Sequence, residues 1–148
     1  ISTYEVWTGA VHHDVQYGKI YKSGRTTDIT TLATFDFPAD TAGRTCEFAF
    51  ELDASATLEG SKRFQVFTSQ KPATADSSTW PSGNLRAQYL GLMEAVKPGK
   101  AWIVDGPATS CYFPCPAGYT IAGELVGQND QVNIEWNKNV AGPRIIVH

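Results

Sequence analysis

Residues 46–52 read CEFAFEL, and their alternation decides the fold. Every second position carries a large apolar side chain or a cysteine, namely Cys46, Phe48, Phe50 and Leu52. The positions between them carry Glu47, Ala49 and Glu51. Successive side chains of a strand point to opposite faces of the sheet. The stretch therefore predicts a β-strand with one face in the core and the other toward solvent.

The same period of two recurs along the chain. Apolar and polar residues alternate around Phe35 and Phe37, around Phe64 and Val66, and around Val132, Ile134 and Trp136. Glycines and prolines separate these runs at the spacing of short strands. Residues 85–96 fit both helical and strand spacing, and the nearby Pro98-Gly99 turn favours a strand. We predict one antiparallel β-sandwich or jelly roll of about eight to ten strands over residues 1–148.

Length and composition limit the class of protein. The chain has 148 residues, of which 42% are hydrophobic and 18% charged, with a net charge of −3. One domain of this size can bury a full core. The composition excludes a disordered tail, a coiled coil and a basic nucleic-acid-binding domain. No apolar run approaches the roughly 20 residues of a membrane span. We therefore expect no nucleic-acid partner and no membrane span.

The three cysteines and the chain start favour an exported protein. Met93 is the sole methionine and the chain begins at Ile1, so we expect a removed secretory signal to have preceded it. Three residues separate Cys111 from Cys115, and the sequence has no ligand pair of the C-x2-C type with partner histidines that a zinc site would use. A disulfide is the simplest use of two cysteines in an exported protein, and it leaves one thiol over.

Three segments carry a family resemblance. They read TLATFDFPADTAGRTCEFAF at residues 31–50, FPCPAG at 113–118 and GELV at 123–126. They resemble the C-terminal domain of a fungal protein named for binding a ubiquitin-like-protein activating enzyme, the But2-type domain. The resemblance implies a compact β domain of secreted or cell-surface fungal proteins, mostly without assigned function. It also implies a Cys46–Cys115 disulfide, with Cys111 as the extra thiol. Such a bridge closes a loop of roughly 70 residues and contributes about 4 kcal/mol.

Aromatic side chains are the candidates for ligand binding. Sugar-binding β-sandwich modules use rows of exposed aromatic rings, because the C–H faces of sugars stack on them. Trp80 is the best candidate, and Trp7, Tyr17 and Tyr89 are the others. Trp102 and Trp136 alternate with apolar strand residues and are expected in the core.

A catalytic site is the alternative, and two groups of residues are its candidates. His12, His13 and Asp14 form a weak metal-ligand cluster, since adjacent residues of a strand point apart. Paired carboxylates would suit a glycosidase. Glu51, Asp53 and Glu59 lie in one region of the sequence and are one set of candidates. Glu124 and Glu135 are a second set, because their two strands should be neighbours joined by a loop at residues 128–130. The usual hydrolase, nucleotide and zinc-protease motifs do not occur in the sequence.

These observations predict a secreted or cell-wall-associated fungal β-sandwich protein without evident catalysis or cofactor. Its partner would be a cell-wall polysaccharide or another extracellular protein. The alternative is a polysaccharide-acting hydrolase or a metal-dependent enzyme that uses an acidic pair or His12 and His13. An intracellular adaptor of a ubiquitin-like pathway is a third class, and it would keep its cysteines reduced.

Overall fold

The structure is a computed structural model that describes residues 1–5, 11–12, 15–25, 28–69, 86–106, 110–128 and 131–148. Strands and one short 3-10 helix, Ala39–Thr41, make up the regular structure of these residues. The strands are β1 (Ser2–Glu5), β2 (Val11–His12), β3 (Tyr17–Lys22), β4 (Ile29–Asp36), β5 (Thr45–Leu52), β6 (Thr57–Gly60), β7 (Arg63–Ser69), β8 (Arg86–Glu94), β9 (Gly99–Lys100), β10 (Trp102–Asp105), β11 (Tyr112–Pro114), β12 (Thr120–Gly127), β13 (Val132–Asn137) and β14 (Gly142–Val147).

The strands form two antiparallel sheets. Sheet A contains ten strands in the order β10-β8-β7-β12-β4-β3-β13-β6, with β1 beside β4 and β2 beside β1, and it curls like half a barrel. Sheet B has the order β11-β5-β14, and β9 pairs with the same edge of β5 as β11 does. The predicted all-β antiparallel sandwich is confirmed. The described part contains more segments than predicted because six of its fourteen strands have four residues or fewer.

Strand β5 occupies the centre of sheet B. It has the buried apolar face that its alternating sequence predicted. Cys46, Phe50 and Leu52 are fully buried, and Phe48 on the same face is half-buried. The ring of Phe50 lies 4.7 Å from that of Phe64 on β7 and 5.1 Å from that of Trp136 on β13. We call the core around these three rings the packed half of the sandwich.

Two glycines make room for Trp136. A Cβ atom at Gly18 on β3 or at Gly142 on β14 would overlap the indole ring. The backbones of the two sheets therefore approach the two sides of the ring closely, which only glycine allows. This close contact explains why Trp136 is buried, as predicted.

Two predictions about neighbouring segments had different outcomes. Residues 86–94 form strand β8, so the preference for a strand is confirmed. Trp102 was expected in the core and is 50% exposed, so that prediction is wrong. Strand β10 lies at the edge of sheet A, and its Ile103 faces inward, so the alternation turns Trp102 outward.

Cys46 and Cys115 form a disulfide, as the resemblance implied. Cys46 lies on β5, and Cys115 follows directly after β11, where Phe113 is in register with Cys46. The bond therefore fixes the short strand β11 against the centre of sheet B. Within the described residues, no helix is long and apolar enough to cross a membrane.

Candidate functional site

The best-formed concave site in the described residues is an apolar cavity of about 310 Å³ between the two sheets. We call it the inter-sheet pocket. Its volume falls at the lower end of the range for small-molecule sites, and its mostly apolar lining is typical of them. It lies beside the packed half and shares Met93 with it.

Sheet A supplies one wall of the pocket from five consecutive strands. Each of β10, β8, β7, β12 and β4 contributes between one and three lining residues. They are Ile103 on β10, Leu90, Gly91 and Met93 on β8, Val66, Phe67 and Thr68 on β7, Ile121, Ala122 and Gly123 on β12, and Phe35 on β4. Phe37, which follows directly after β4, also lines the pocket. At roughly 4.8 Å between strands, this wall extends about 19 Å across the sheet. The pocket is therefore long across the strands.

Sheet B supplies the facing wall. Phe48 comes from β5, Ile145 from β14, and Tyr112 and Phe113 from β11. Two edge-to-face ring pairs join the walls: Phe35 and Phe48 have centroids 6.4 Å apart, and Phe37 and Phe113 have centroids 6.1 Å apart. The disulfide holds β11, so it also holds the part of the wall that this strand forms.

Partly exposed apolar side chains form the entrance. Leu90 is 36% exposed, Ile121 43% and Tyr112 54%, and all three line the pocket. Ser110 is also exposed and belongs to the lining. Apolar surface that is exposed and continuous with an apolar cavity marks a binding site more strongly than isolated exposed residues do. The entrance therefore lies between β8 and β12 on one side and β11 on the other.

The few polar lining groups already have backbone partners or poor reactivity. Thr68 Oγ1 accepts a hydrogen bond from the Gln88 N–H at 2.9 Å, and Ser110 Oγ accepts one from the Tyr112 N–H at 3.1 Å. Burial, followed by the nearby Glu47 carboxylate, raises the pKa of the Cys111 thiol. A raised pKa makes a thiolate scarce, so Cys111 is a weak nucleophile.

A small charge cluster lies next to the facing wall. Glu47 on β5 is 3.0 Å from His148 Nε2 and 3.6 Å from Lys100 Nζ. The hydrogen bond from His148 and the charge of Lys100 hold the pKa of Glu47 below its usual value, against the opposing effect of burial. None of these three side chains lines the pocket.

The two predicted aromatic site residues that the structure describes, Tyr17 and Tyr89, lie apart. Tyr17 on β3 is 55% exposed, whereas Tyr89 on β8 is half-buried with its ring 5.5 Å from that of Phe67. The two tyrosines belong to strands at different places in sheet A. Trp7 and Trp80 lie outside the described residues.

The weak metal candidates are only partly described. His12 on β2 is exposed, and its Nε2 lies 2.5 Å from Glu5 Oε2 on β1. His13 and Asp14 lie outside the described residues. In the part of the chain that the structure describes, no three His, Cys, Asp or Glu residues are grouped so that they could hold a metal ion.

The candidate acids have separate partners. Glu51 pairs with Arg144, and Asp53 accepts hydrogen bonds from Ser55 Oγ at 2.8 and 2.9 Å. Glu59 on β6 is exposed.

The two acids expected on neighbouring strands are also apart. Glu124 is buried and accepts a 2.6 Å hydrogen bond from Thr30, whereas Glu135 lies 3.6 Å from Lys19. The expectation that strands β12 and β13 are neighbours is wrong, because β4 and β3 lie between them in sheet A. Both edges of β12 are occupied, by β4 and by β7.

The comparisons identify the family. Residues 10–141 match the family described as "Ubiquitin 3 binding protein But2 C-terminal domain". The chain belongs to the But2 C-terminal domain family. The matched range contains both cysteine segments and the GELV segment that carried the resemblance. No curated protein and no solved structure matches the chain.

The pocket of this But2 domain was not predicted from the sequence. Its walls come from eight strands that are distant along the chain, so no local motif marks it. One signal was present: β12 contains Ala122 and Gly123, and β8 contains Gly91, among larger apolar residues. Small residues inside strands leave space where facing strands carry aromatic rings.

Proposed function

We propose that this But2 domain is a non-catalytic extracellular binding domain and that its ligand site is the inter-sheet pocket. The observation that carries the proposal is the cavity of about 310 Å³ with an apolar lining and an apolar entrance. A closed cavity of this volume would cost about 7 kcal/mol at 24 cal/mol per Å³, and an open one costs less. A cost of that kind is offset when a ligand fills the space.

The disulfide supports the extracellular part of the proposal. Disulfides persist in secreted and cell-surface proteins and are rare in the cytosol. Cys46 is completely buried, so its bond to Cys115 is part of the packed structure. A secreted or cell-wall-associated location follows naturally from this chemistry.

The chemistry of the lining supports binding rather than catalysis. Its polar side chains are Thr68, Ser110, Cys111 and Tyr112, and the Cys111 thiol has a raised pKa. The acids that were candidates for a hydrolase do not line the pocket, and Glu51, Asp53, Glu124 and Glu135 each have a partner elsewhere. The alternative of a hydrolase or metal-dependent enzyme therefore has less support among the described residues.

Dye binding tests the proposal. We expect the apolar dye N-phenylnaphthylamine to bind the oxidised protein with increased fluorescence. Val66→Phe places a larger side chain in the pocket, because Val66 lines it from the same face of sheet A as Leu125 and Gly91, and should weaken dye binding about tenfold or more. Val140→Ala is the matched control, because Val140 is exposed and lies outside the pocket. Equal dye affinity in all three proteins would contradict the proposal.

A second candidate function is carbohydrate binding on the outer face of β3 and β13. Tyr17, Lys19 and Tyr21 point outward on β3, and Asn137, Glu135 and Asn133 stand in register with them on β13. Gln16 Nε2 also donates to Asn137 Oδ1 at 2.7 Å. Aromatic, amide and acidic side chains on one flat face suit the C–H faces and hydroxyls of a polysaccharide.

A pull-down with insoluble chitin, glucan and mannan tests this second function. Tyr17→Ala should release the protein from the polysaccharide, whereas Tyr119→Ala should not, because Tyr119 is exposed elsewhere. Binding that both variants retain would contradict a site on this face. A protein partner is supported only by the description of the family, and the same pull-down with immobilised ubiquitin tests it.

A further inference from the structure

The shape of the inter-sheet pocket restricts its ligand to an elongated group. The lining extends about 19 Å across five strands of sheet A. Along any one strand it covers four residues at most, as in Leu90–Met93, or about 13 Å of strand. The walls lie on two facing sheets, about 10 Å apart between backbones, and side chains fill most of that separation. A cage of saturated rings such as adamantane is too thick for such a space, whereas an extended hydrocarbon fits it.

The volume gives the size of the ligand. An apolar cavity of about 150 Å³ is known to hold one benzene molecule. The pocket of about 310 Å³ is twice as large and therefore holds about twelve carbon atoms.

The electrostatics of the lining exclude a buried charge. No acidic or basic side chain is among the described residues that line the pocket. An unpaired charge in such surroundings is strongly disfavoured. The nearest charged cluster is Glu47 with Lys100 and His148, and these three groups already satisfy one another. A carboxylate entering beside them would meet the Glu47 charge that already raises the pKa of Cys111.

We infer that the inter-sheet pocket binds one linear, uncharged aliphatic chain of about twelve carbon atoms, which enters between Leu90, Tyr112 and Ile121. This inference rests on the proposed function and names its ligand class. The hydrocarbon lies between the rings of Phe35, Phe48 and Phe113, and a neutral polar end group remains at the entrance near Ser110.

Displacement of N-phenylnaphthylamine by primary alcohols tests the chain length. We expect affinity to rise about fourfold for each added methylene from hexanol to dodecanol and then to level off by hexadecanol. Dodecanoate should compete about tenfold less well than dodecanol, because its charge has no partner at the entrance. A wide ring compound, adamantanol, should compete weakly. Dye binding without a length optimum, or equal competition by adamantanol, would overturn the inference and leave the apolar binding function standing.

A variant of the pocket wall distinguishes binding inside the pocket from nonspecific binding to apolar surface. Phe113→Ala removes a ring that lines the pocket and should move the optimum to a longer alcohol than dodecanol. Phe113→Leu is the second variant if the alanine protein does not fold, and it should move the optimum less. An optimum that both variants leave unchanged would overturn the inference, because a purely structural role of Phe113 would alter stability alone.

Sedimentation with phosphatidylcholine vesicles distinguishes two sources of the aliphatic ligand, a free molecule and a membrane lipid. If the ligand is a free molecule, dodecanol binds the protein, and the protein stays in the supernatant when the vesicles are sedimented. If a bilayer presents the aliphatic chain, the protein co-sediments with the vesicles, and Val66→Phe abolishes the co-sedimentation. We expect the first result, because the entrance carries only three partly exposed apolar side chains. Co-sedimentation without dodecanol binding would contradict a free ligand.

Discussion

The two halves of the sandwich share strands β5, β7, β8 and β12 and pack differently. On β5, Phe50 is fully buried against Phe64 and Trp136, whereas Phe48, two residues earlier on the same face, is half-buried beside a cavity. The rings of the packed half have centroids within 5.1 Å, and those facing across the pocket are 6.1 Å apart or more. The alternation of β5 is thus equally regular in both halves, but only one half is filled.

The packed half therefore determines the stability of the fold, and the pocket half provides the space for a ligand. The packed half reaches the density of a protein interior, so changes of one methylene there alter the free energy of unfolding. The pocket half has small residues, Gly91, Ala122 and Gly123, where its neighbours are large. Substitutions in that half should alter ligand affinity more than stability.

The disulfide should give the largest effect. Replacing both Cys46 and Cys115 with alanine should lower the free energy of unfolding by about 4 kcal/mol, because the bridge closes a long loop. Urea denaturation measures this loss. Dye affinity should fall as well, since β11 forms part of the pocket wall. Unchanged stability would mean that packing of β11 alone holds the strand.

Truncation of the two β5 phenylalanines compares the halves directly. Phe50→Ala should cost about 3.5 kcal/mol of unfolding free energy, the usual cost of a buried phenylalanine. Phe48→Ala should cost about half as much, because part of its ring faces the cavity rather than other atoms. Urea denaturation of both variants gives the two values. Equal losses would contradict the distinction between a packed and an open half.

Enlarging one side chain in each half compares the space that the two halves leave free. Ala95 belongs to the packed half, and Ala95→Leu should destabilise the protein by about 2 kcal/mol through overpacking. Val66 lines the pocket, and Val66→Phe should leave stability unchanged or raise it by about 1 kcal/mol. Thermal unfolding followed by circular dichroism compares the two proteins. A loss in Val66→Phe as large as that in Ala95→Leu would show that the pocket half is also filled.

The smallest effect concerns pH near the pocket wall. Glu47 has a lowered pKa in the folded protein, so its contribution to stability is present above the pKa of an unfolded glutamate, about 4.3. This contribution is lost as the pH falls through the lowered value. Glu47→Gln should therefore flatten the decline of the urea midpoint between about pH 5 and pH 3. A decline as steep as that of the wild type would show that Glu47 does not contribute.

Local alternation was enough to predict much of the fold. The pattern of residues 46–52 and of Val132, Ile134 and Trp136 identified strands β5 and β13 and their buried faces. The disulfide came from the family resemblance, because three cysteines alone allow three pairings. Such predictions succeed where the burial of a side chain depends only on the alternation within its own strand.

The candidate site could not be predicted because it depends on which strands become neighbours. Trp102 points outward because β10 is an edge strand, and β12 and β13 are separated because β12 already pairs with β4 and β7. The pocket likewise exists because Gly91 and Gly123, on the inner face of sheet A, lie opposite the rings of β5 and β11 across the sandwich. No spacing along the chain contains that information.

Alkylation of Cys111 is the measurement that tests the pocket most directly. Of the three cysteines, Cys111 is the one outside the disulfide, and it lines the pocket. We predict that saturating dodecanol slows its reaction with N-ethylmaleimide about tenfold in the wild type and leaves the rate in Val66→Phe almost unchanged. A wild-type rate unaffected by dodecanol, under conditions where dodecanol displaces the dye, would show that the ligand binds elsewhere and contradict the account.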